Sequence, residues 1–137
     1  MNQAMRIMIV DNDPTYLGLL SEVLRLHGYQ VLAAPDGEEA LARLREEPVD
    51  FVLADISMPK MNGINLHRYM REDPRLKDLP FAWNSGYREL REAVEVDDPT
   101  IDLKFDKAMT VPNLLFFLNH FAALRRKRSS EQKEAPC

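Results

Sequence analysis

The chain has few of the residues that staple a fold or anchor it from outside. Its one cysteine, Cys137, lies in a polar tail. No internal disulfide can form, and no thiol chemistry is expected. The histidines His27, His67 and His120 stand too far apart for a local metal motif, and each is expected at a helix end or on the surface. No apolar run nears the length of a membrane span, and "MNQAMRIMIV" lacks a signal-peptide core and cleavage site. A cytoplasmic protein with no membrane partner is expected. Cationic excess is missing too: 18 Lys and Arg against 22 Asp and Glu give a net charge of -4. That removes a general pull towards nucleic acid. The basic run Arg125 to Arg128 is short and is followed by Glu131 and Glu134, so no nucleic-acid partner is expected from it.

What is present is ordinary in amount and regular in arrangement. The 137 residues, 45% hydrophobic and 29% charged, suit a single globular domain. "RIMIV" (6–10) is a short apolar run that ends at Asp11. Asp13 and Pro14 then read as a helix cap followed by proline at the first helical position. Leu17, Leu20 and Leu24 recur at helical spacing until Gly28. Further strands are expected at 29–34, 50–55, 79–85 and 100–105. Helices are expected at 36–47, 62–72, 87–96 and 111–126. Strand and helix alternate five times with short connections, which predicts an α/β fold with a parallel sheet between helical layers. The domain is expected over 1–126, with 127–137 as a polar, disordered tail.

One detail in this pattern needs a reason. "FVLAD" (51–55) reads as a buried strand, yet it runs into a carboxylate, and an unpaired buried charge costs several kcal/mol. In parallel α/β sheets the functional crevice lies beyond the carboxyl ends of the strands. Asp11 and Asp55 both fall at that edge, Ser85 closes the fourth strand and Lys107 follows the fifth. With strands one, three, four and five side by side, these four residues converge. Paired carboxylates with a backbone carbonyl and water suit a hard cation such as Mg²⁺. Lys107 adds a second positive point for a phosphoryl group, Ser85 a hydroxyl donor, and Asp55 a nucleophile able to form an acyl phosphate.

The segments "IMIVDNDP", "GYQVLAAPDGEEAL", "VDFVLADISMPKMNG" and "RLKDLPFAWNSG", with the stretch around Lys107, resemble a two-component response regulator receiver domain of the CheY-like kind. The resemblance covers about residues 5 to 126, and the block around Asp55 is its most specific part. It implies a flavodoxin-like (βα)5, three-layer α/β/α fold with sheet order 2-1-3-4-5. It also implies Mg²⁺-dependent phosphoryl transfer from a sensor histidine kinase or phosphotransfer protein. By position, Asp55 resembles the phosphoacceptor and Asp11 a metal-site acid. Ser85 and Lys107 resemble the hydroxyl and ammonium that meet the phosphoryl group, and the carbonyl of Ser57 a metal ligand.

Several positions depart from the family pattern. Asn12 stands where a second metal-site acid is usual, so the metal set becomes Asp11, Asn12, Asp55 and Ser57, with one negative charge fewer. Ala108 follows Lys107 where proline after a cis bond is usual. A non-proline cis bond costs about 2.5 to 4 kcal/mol, so a trans or rearranged loop is expected. Lys104 takes the place of an aromatic switch, with Phe105 on the opposite face of the strand. In "NLLFFLNHF", Leu114, Phe117, Leu118 and Phe121 can face the core, while Leu115 and Phe116 leave extra apolar surface. Partner contact or a homodimer is expected through the last strand and its flanking helices.

The leading expectation is therefore a stand-alone receiver that signals by protein contact and is not an enzyme beyond its own phosphorylation and dephosphorylation. The main rival is a pseudo-receiver that keeps the fold without the chemistry. A second rival, a phosphatase of the haloacid-dehalogenase type, would use Asp11 as nucleophile and Asp13 as general acid, but it leaves "DISMPKMNG" unexplained. If Asn12 weakens the metal site by removing a carboxylate, Asn12→Asp will bind Mg²⁺ more tightly than the wild type. Parallel Mg²⁺ titrations of the two proteins measure this, and equal affinities reject it.

Overall fold

The computed structural model describes residues 5–108, 112, 114–121 and 123. It divides into two compact units, Met1–Lys107 and Ala108–Cys137. The first contains β1 (Arg6–Val10), α1 (Pro14–Leu26), β2 (Gln30–Ala34), α2 (Gly37–Glu46) and β3 (Phe51–Ala54). It continues with α3 (Gly63–Glu72), β4 (Phe81–Ser85), α4 (Arg88–Ala93) and β5 (Asp102–Asp106). All strand pairs are parallel, in the order β2-β1-β3-β4-β5, which is the expected flavodoxin-like arrangement.

Strand alternation assigns the side chains to two faces. Met8, Val10, Val52, Ala54, Phe81 and Trp83 pack with Leu41 and Leu44 of α2, Leu66 and Met70 of α3, and Val94 beyond α4. Ile7, Ile9 and Leu53 are buried on the opposite face, and α1 packs against β1 and β2. With both faces covered, β3 is buried at every position, which accounts for its unbroken apolar run.

Helix starts follow local chemistry. Asp13 Oδ1 accepts from the N–H groups of Thr15 and Tyr16. Asp36 Oδ1 caps α2 through Glu39 N–H, and Asn62 Oδ1 caps α3 through Asn65 N–H. Element boundaries shift by one to three residues from the sequence expectation, and two of the shifts have a visible cause. β5 begins at Asp102 rather than residue 100, because Asp98 Oδ1 binds both the N–H and the hydroxyl of Thr100 and holds a turn there. α4 ends at Ala93, where Val94 turns extended and enters the core.

In the second unit, residues 114–121 are helical, with Leu114, Leu118 and Phe121 buried and Phe116 70% exposed. Phe117 is only partly buried, so its expected core position is not fully reached. The limits of the expected last helix, the run Arg125 to Arg128, the tail 127–137 and Cys137 lie outside the described residues.

His67 requires a correction. His27 sits at the end of α1 and His120 is exposed, as expected, but His67 is buried within α3. Its ring lies against Phe81 and Trp83, with centroids 5.1 and 4.4 Å away. Its Nε2 is 2.8 Å from Oδ1 of Asp102, a buried acid at the start of β5 that also pairs with Arg71. A carboxylate only accepts, so Nε2 carries a proton. The sequence showed a histidine on a polar-looking helix, whereas tertiary packing supplied its aromatic wall and its acid.

Burial pushes the pKa of His67 down, although the hydrogen bond and charge of Asp102 act the other way. Below the ordinary histidine range the unfolded chain takes up a proton that the folded chain resists. Stability should therefore decline as pH falls from about 6.5 through the lowered folded value, with a limiting slope near 1.4 kcal/mol per pH unit for one proton. Denaturant melts between pH 5 and 8 should show this decline, and His67→Gln should flatten it. An identical pH profile in the variant would remove His67 as the cause.

Candidate functional site

The site forms because three strand ends extend their ladders by one residue. Asp11 N–H donates to the carbonyl of Ala34, Asp55 N–H to that of Val10, and Lys107 N–H to that of Ser85, at 3.1, 2.9 and 3.2 Å. Each residue is thus held by the adjacent strand just past its own strand's end. The Lys107 ammonium then reaches across to Asp11 Oδ2 at 2.6 Å and Asp55 Oδ2 at 3.3 Å. Both acids are buried. The charge at the end of "FVLAD" therefore has a partner, but a shared one.

The loop after β3 fixes the floor of the site. Gly63 N–H donates to the carbonyl of Ile56, and a Cβ at Gly63 would collide with the backbone carbonyl of Asp55. Only glycine permits this approach. Lys60 adopts a positive φ of 64° on the same loop, and the carbonyl of Met61 accepts from Gly37 N–H. The "MPKMNG" segment is thus tied to both α2 and α3.

The expected residues take different positions around this centre. Asp11, Asp55 and Lys107 are joined by direct contacts. Asn12 and Ser57 are exposed on the two flanking loops. Ser85 is fully buried at the end of β4, and its Oγ accepts from Tyr87 N–H at 3.1 Å. Arg91 Nη1 binds the Ser85 carbonyl at 2.6 Å and Nη2 lies 3.4 Å from Asp106, which ties α4 to the ends of β4 and β5. Asp13 caps α1, so its carboxylate is engaged away from acid catalysis. The described peptide bonds are all trans, including that between Lys107 and Ala108. Lys104 is exposed and Phe105 buried, as period two requires.

Sequence reasoning missed two members. The ring of Tyr16 lies 4.7 Å from the Lys107 ammonium, and its hydroxyl accepts from Asn84 Nδ2 at 2.7 Å. Asn84, a polar side chain inside the apolar strand "FAWNS", was the available signal.

The charges are unevenly balanced. Burial raises the pKa of Asp55, and the nearby charge of Asp11 adds to this; Lys107 offsets it only in part. Burial works against the charge on Lys107, but Asp11 foremost, with Asp55, outweighs it and holds the ammonium pKa up. The distances agree: the lysine sits nearer Asp11, leaving Asp55 as the less compensated acid. Two carboxylates facing one ammonium leave a buried site in need of further positive charge.

A doubly wound parallel sheet with acids and a lysine gathered at its carboxyl edge is a receiver-type α/β module. The chain belongs to the response regulator receiver domain family, whose sequence profile matches residues 7–116. It is similar to protein PilH of Pseudomonas aeruginosa, 41% identical over 75 residues, covering 55% of this chain and 62% of PilH. It is also similar to the transcriptional regulatory protein CpxR of Klebsiella pneumoniae, 45% identical over 67 residues, covering 49% of this chain and 28% of CpxR. The matches thus span less than two thirds of these curated relatives. Among solved structures, the response regulator TrrA of Thermotoga maritima, in complex with Mg²⁺ and BeF, superposes with a TM-score of 0.75 at 27% identity. That match covers 85% of this chain and 98% of TrrA.

The raised pKa of Asp55 implies that its ionised form costs the folded protein stability. Above that pKa Asp55→Asn should be more stable than the wild type, by a few tenths to about 1 kcal/mol, since Lys107 already offsets part of the burial cost. Once acid protonates Asp55 the difference should shrink. Urea melts of both proteins at pH 7 and pH 4 test the sign, and a destabilised variant at pH 7 would contradict it.

Proposed function

We propose that this chain is a cytoplasmic receiver, spanning residues 1–126 with 127–137 as a polar tail, that accepts a phosphoryl group on Asp55. The observation that carries the reading is the Lys107 ammonium within 2.6 Å of Asp11 and 3.3 Å of Asp55. An oxygen of Asp55 attacks phosphorus on the phosphohistidine of a sensor kinase or phosphotransfer protein. The P–O bond forms as the P–N bond breaks, and the electron pair leaves on the imidazole nitrogen, which takes up a proton. Lys107 meets the added negative charge, and Ser85, whose Oγ accepts from Tyr87 N–H, still has its own O–H to donate to a phosphoryl oxygen. The chain's chemistry is confined to its own phosphorylation and dephosphorylation.

The donor set suits a hard cation. The Asp11 and Asp55 carboxylates, the Asn12 amide oxygen and the Ser57 carbonyl would hold Mg²⁺. The only partly compensated charge on Asp55 supports this fit. Among the described residues no cluster of three or more His, Cys, Asp or Glu side chains could hold a metal ion. When bound, the cation supplies positive charge that offsets repulsion between Asp55 and the phosphoryl oxygens.

Among the described residues no helix is long and apolar enough to cross a membrane. Readout by contact with another protein, or with a second copy through the last strand and its flanking helices, is part of this proposal, and the exposed Phe116 supports it. The alternative, a receiver fold without phosphorylation, is favoured by the amide at Asn12.

Incubation with Mg²⁺ and acetyl phosphate should add one phosphoryl group to the intact mass, and Asp55→Asn should abolish it. A wild-type protein inert both to acetyl phosphate and to its kinase would establish the non-phosphorylated alternative.

A further inference from the structure

The Lys107 ammonium is paired with two carboxylates, but it stands at the end of a long and flexible stem. Its backbone is secured at the very end of β5, by one hydrogen bond to the Ser85 carbonyl. Something must limit the directions in which the ammonium can point. The only aromatic ring found over it among the described residues is that of Tyr16, with the centroid 4.7 Å from Nζ.

Tyr16 is itself fixed at both ends. Its N–H donates to the capping carboxylate of Asp13 at 3.3 Å, which sets the first turn of α1. Its hydroxyl accepts from Asn84 Nδ2 at 2.7 Å, and Asn84 is buried in β4. Asp11 Oδ1 accepts from Asp13 N–H at 2.9 Å, so the same cap that starts the helix also orients the acid nearest the lysine. A short relay results: Asn84 holds Tyr16, the Tyr16 ring lies against Lys107, and Lys107 bridges Asp11 and Asp55. It links β4, α1, the end of β5, β1 and β3. The ring face presents negative charge density to the ammonium without competing for its proton, so it confines the cation and leaves the carboxylate contacts intact.

We propose that Tyr16 is a positioning residue for Lys107: its ring, anchored through its hydroxyl by Asn84, keeps the ammonium aimed between Asp11 and Asp55. Its role in phosphorylation rests on the reading of Asp55 as phosphoacceptor, whereas the aiming of Lys107 does not. Burial raises the pKa of the phenol, while Asn84 and Lys107 oppose this, so the ring remains a neutral hydrogen-bonding partner near neutral pH. No charge of its own disturbs the site.

Three variants separate the parts of this relay. Tyr16→Phe keeps the ring and removes the anchor, Tyr16→Leu removes the ring, and Asn84→Ala frees the hydroxyl without altering α1. The first measurement needs no phosphorylation: ¹⁵N-edited NMR of lysine ammonium groups, with Lys107 assigned by Lys107→Arg. In the wild type the Lys107 signal should be shifted upfield by the ring and protected from exchange. It should lose that shift and broaden in Tyr16→Leu, and be intermediate in Tyr16→Phe and Asn84→Ala. The second measurement is the initial rate of modification by acetyl phosphate with Mg²⁺. The rate should drop about fivefold in Tyr16→Leu, the scale of one partly exposed cation–π contact, and less in the other two.

Thermal melts of each variant confirm that the fold persists. A Lys107 signal unchanged in Tyr16→Leu overturns the proposal. A lost ring shift with an unchanged rate overturns the claim that the aim matters for phosphorylation. If the wild type takes no phosphoryl group from acetyl phosphate or from its kinase, the functional reading fails, and the NMR result alone decides whether Tyr16 aims Lys107.

Discussion

Two buried carboxylates share one lysine, and the rest of the site depends on that imbalance. Lys107 lies nearer Asp11 than Asp55, so the ion pair anchors the first acid and leaves the second partly unsatisfied. Full compensation would make Asp55 a quiet structural acid. No compensation would make its burial too costly to maintain. The observed intermediate suits a group that gains from added positive charge.

This balance can exist because the backbone at its three charged residues is anchored. The N–H groups of Asp11, Asp55 and Lys107 each extend a parallel ladder into the crevice, so their side chains begin from rigid points. Gly63 lets the start of α3 press against the Asp55 carbonyl, and the Asp13 cap holds both Asp11 and the first turn of α1. The acids and the lysine therefore sit on the ordered edge of the sheet rather than on free loops. Pre-organisation of this kind reduces the reordering needed when charge develops.

A second polar cluster shows how differently the same residue types behave elsewhere. Asp102 at the opening of β5 is shared by His67 and Arg71, and the histidine is enclosed by Phe81 and Trp83. Arg71 also donates to the carbonyl of Leu79, and Trp83 Nε1 donates to that of Gly63. These bonds join α3 to the strands beneath it and satisfy polar groups that would otherwise be costly to bury. At the crevice the charge is left wanting; here it is nearly spent on holding the sheet and helix together.

The sequence by itself determined the order of elements, the parallel sheet and the edge on which Asp11, Asp55, Ser85 and Lys107 would gather. Those features follow from local periods, caps and turn residues, and from the rule that parallel strands end at one edge. Strand order came with the family likeness rather than from the periods. Only the tertiary structure decided which side chains meet. Lys107 reaches Asp55 across 52 residues, Asn84 reaches Tyr16 across 68, and His67 finds Asp102 across 35. Periodicity states which face a residue occupies but not what stands opposite, because that depends on how helices settle on the twisted sheet and where each side chain can turn. Asn84 and Asp102 were visible as polar residues in or beside apolar strands, yet their partners lay in other elements. For that reason Asp55 could be singled out from its sequence, while the unequal sharing of Lys107 and the Tyr16 ring beside it emerged only when the chain was folded.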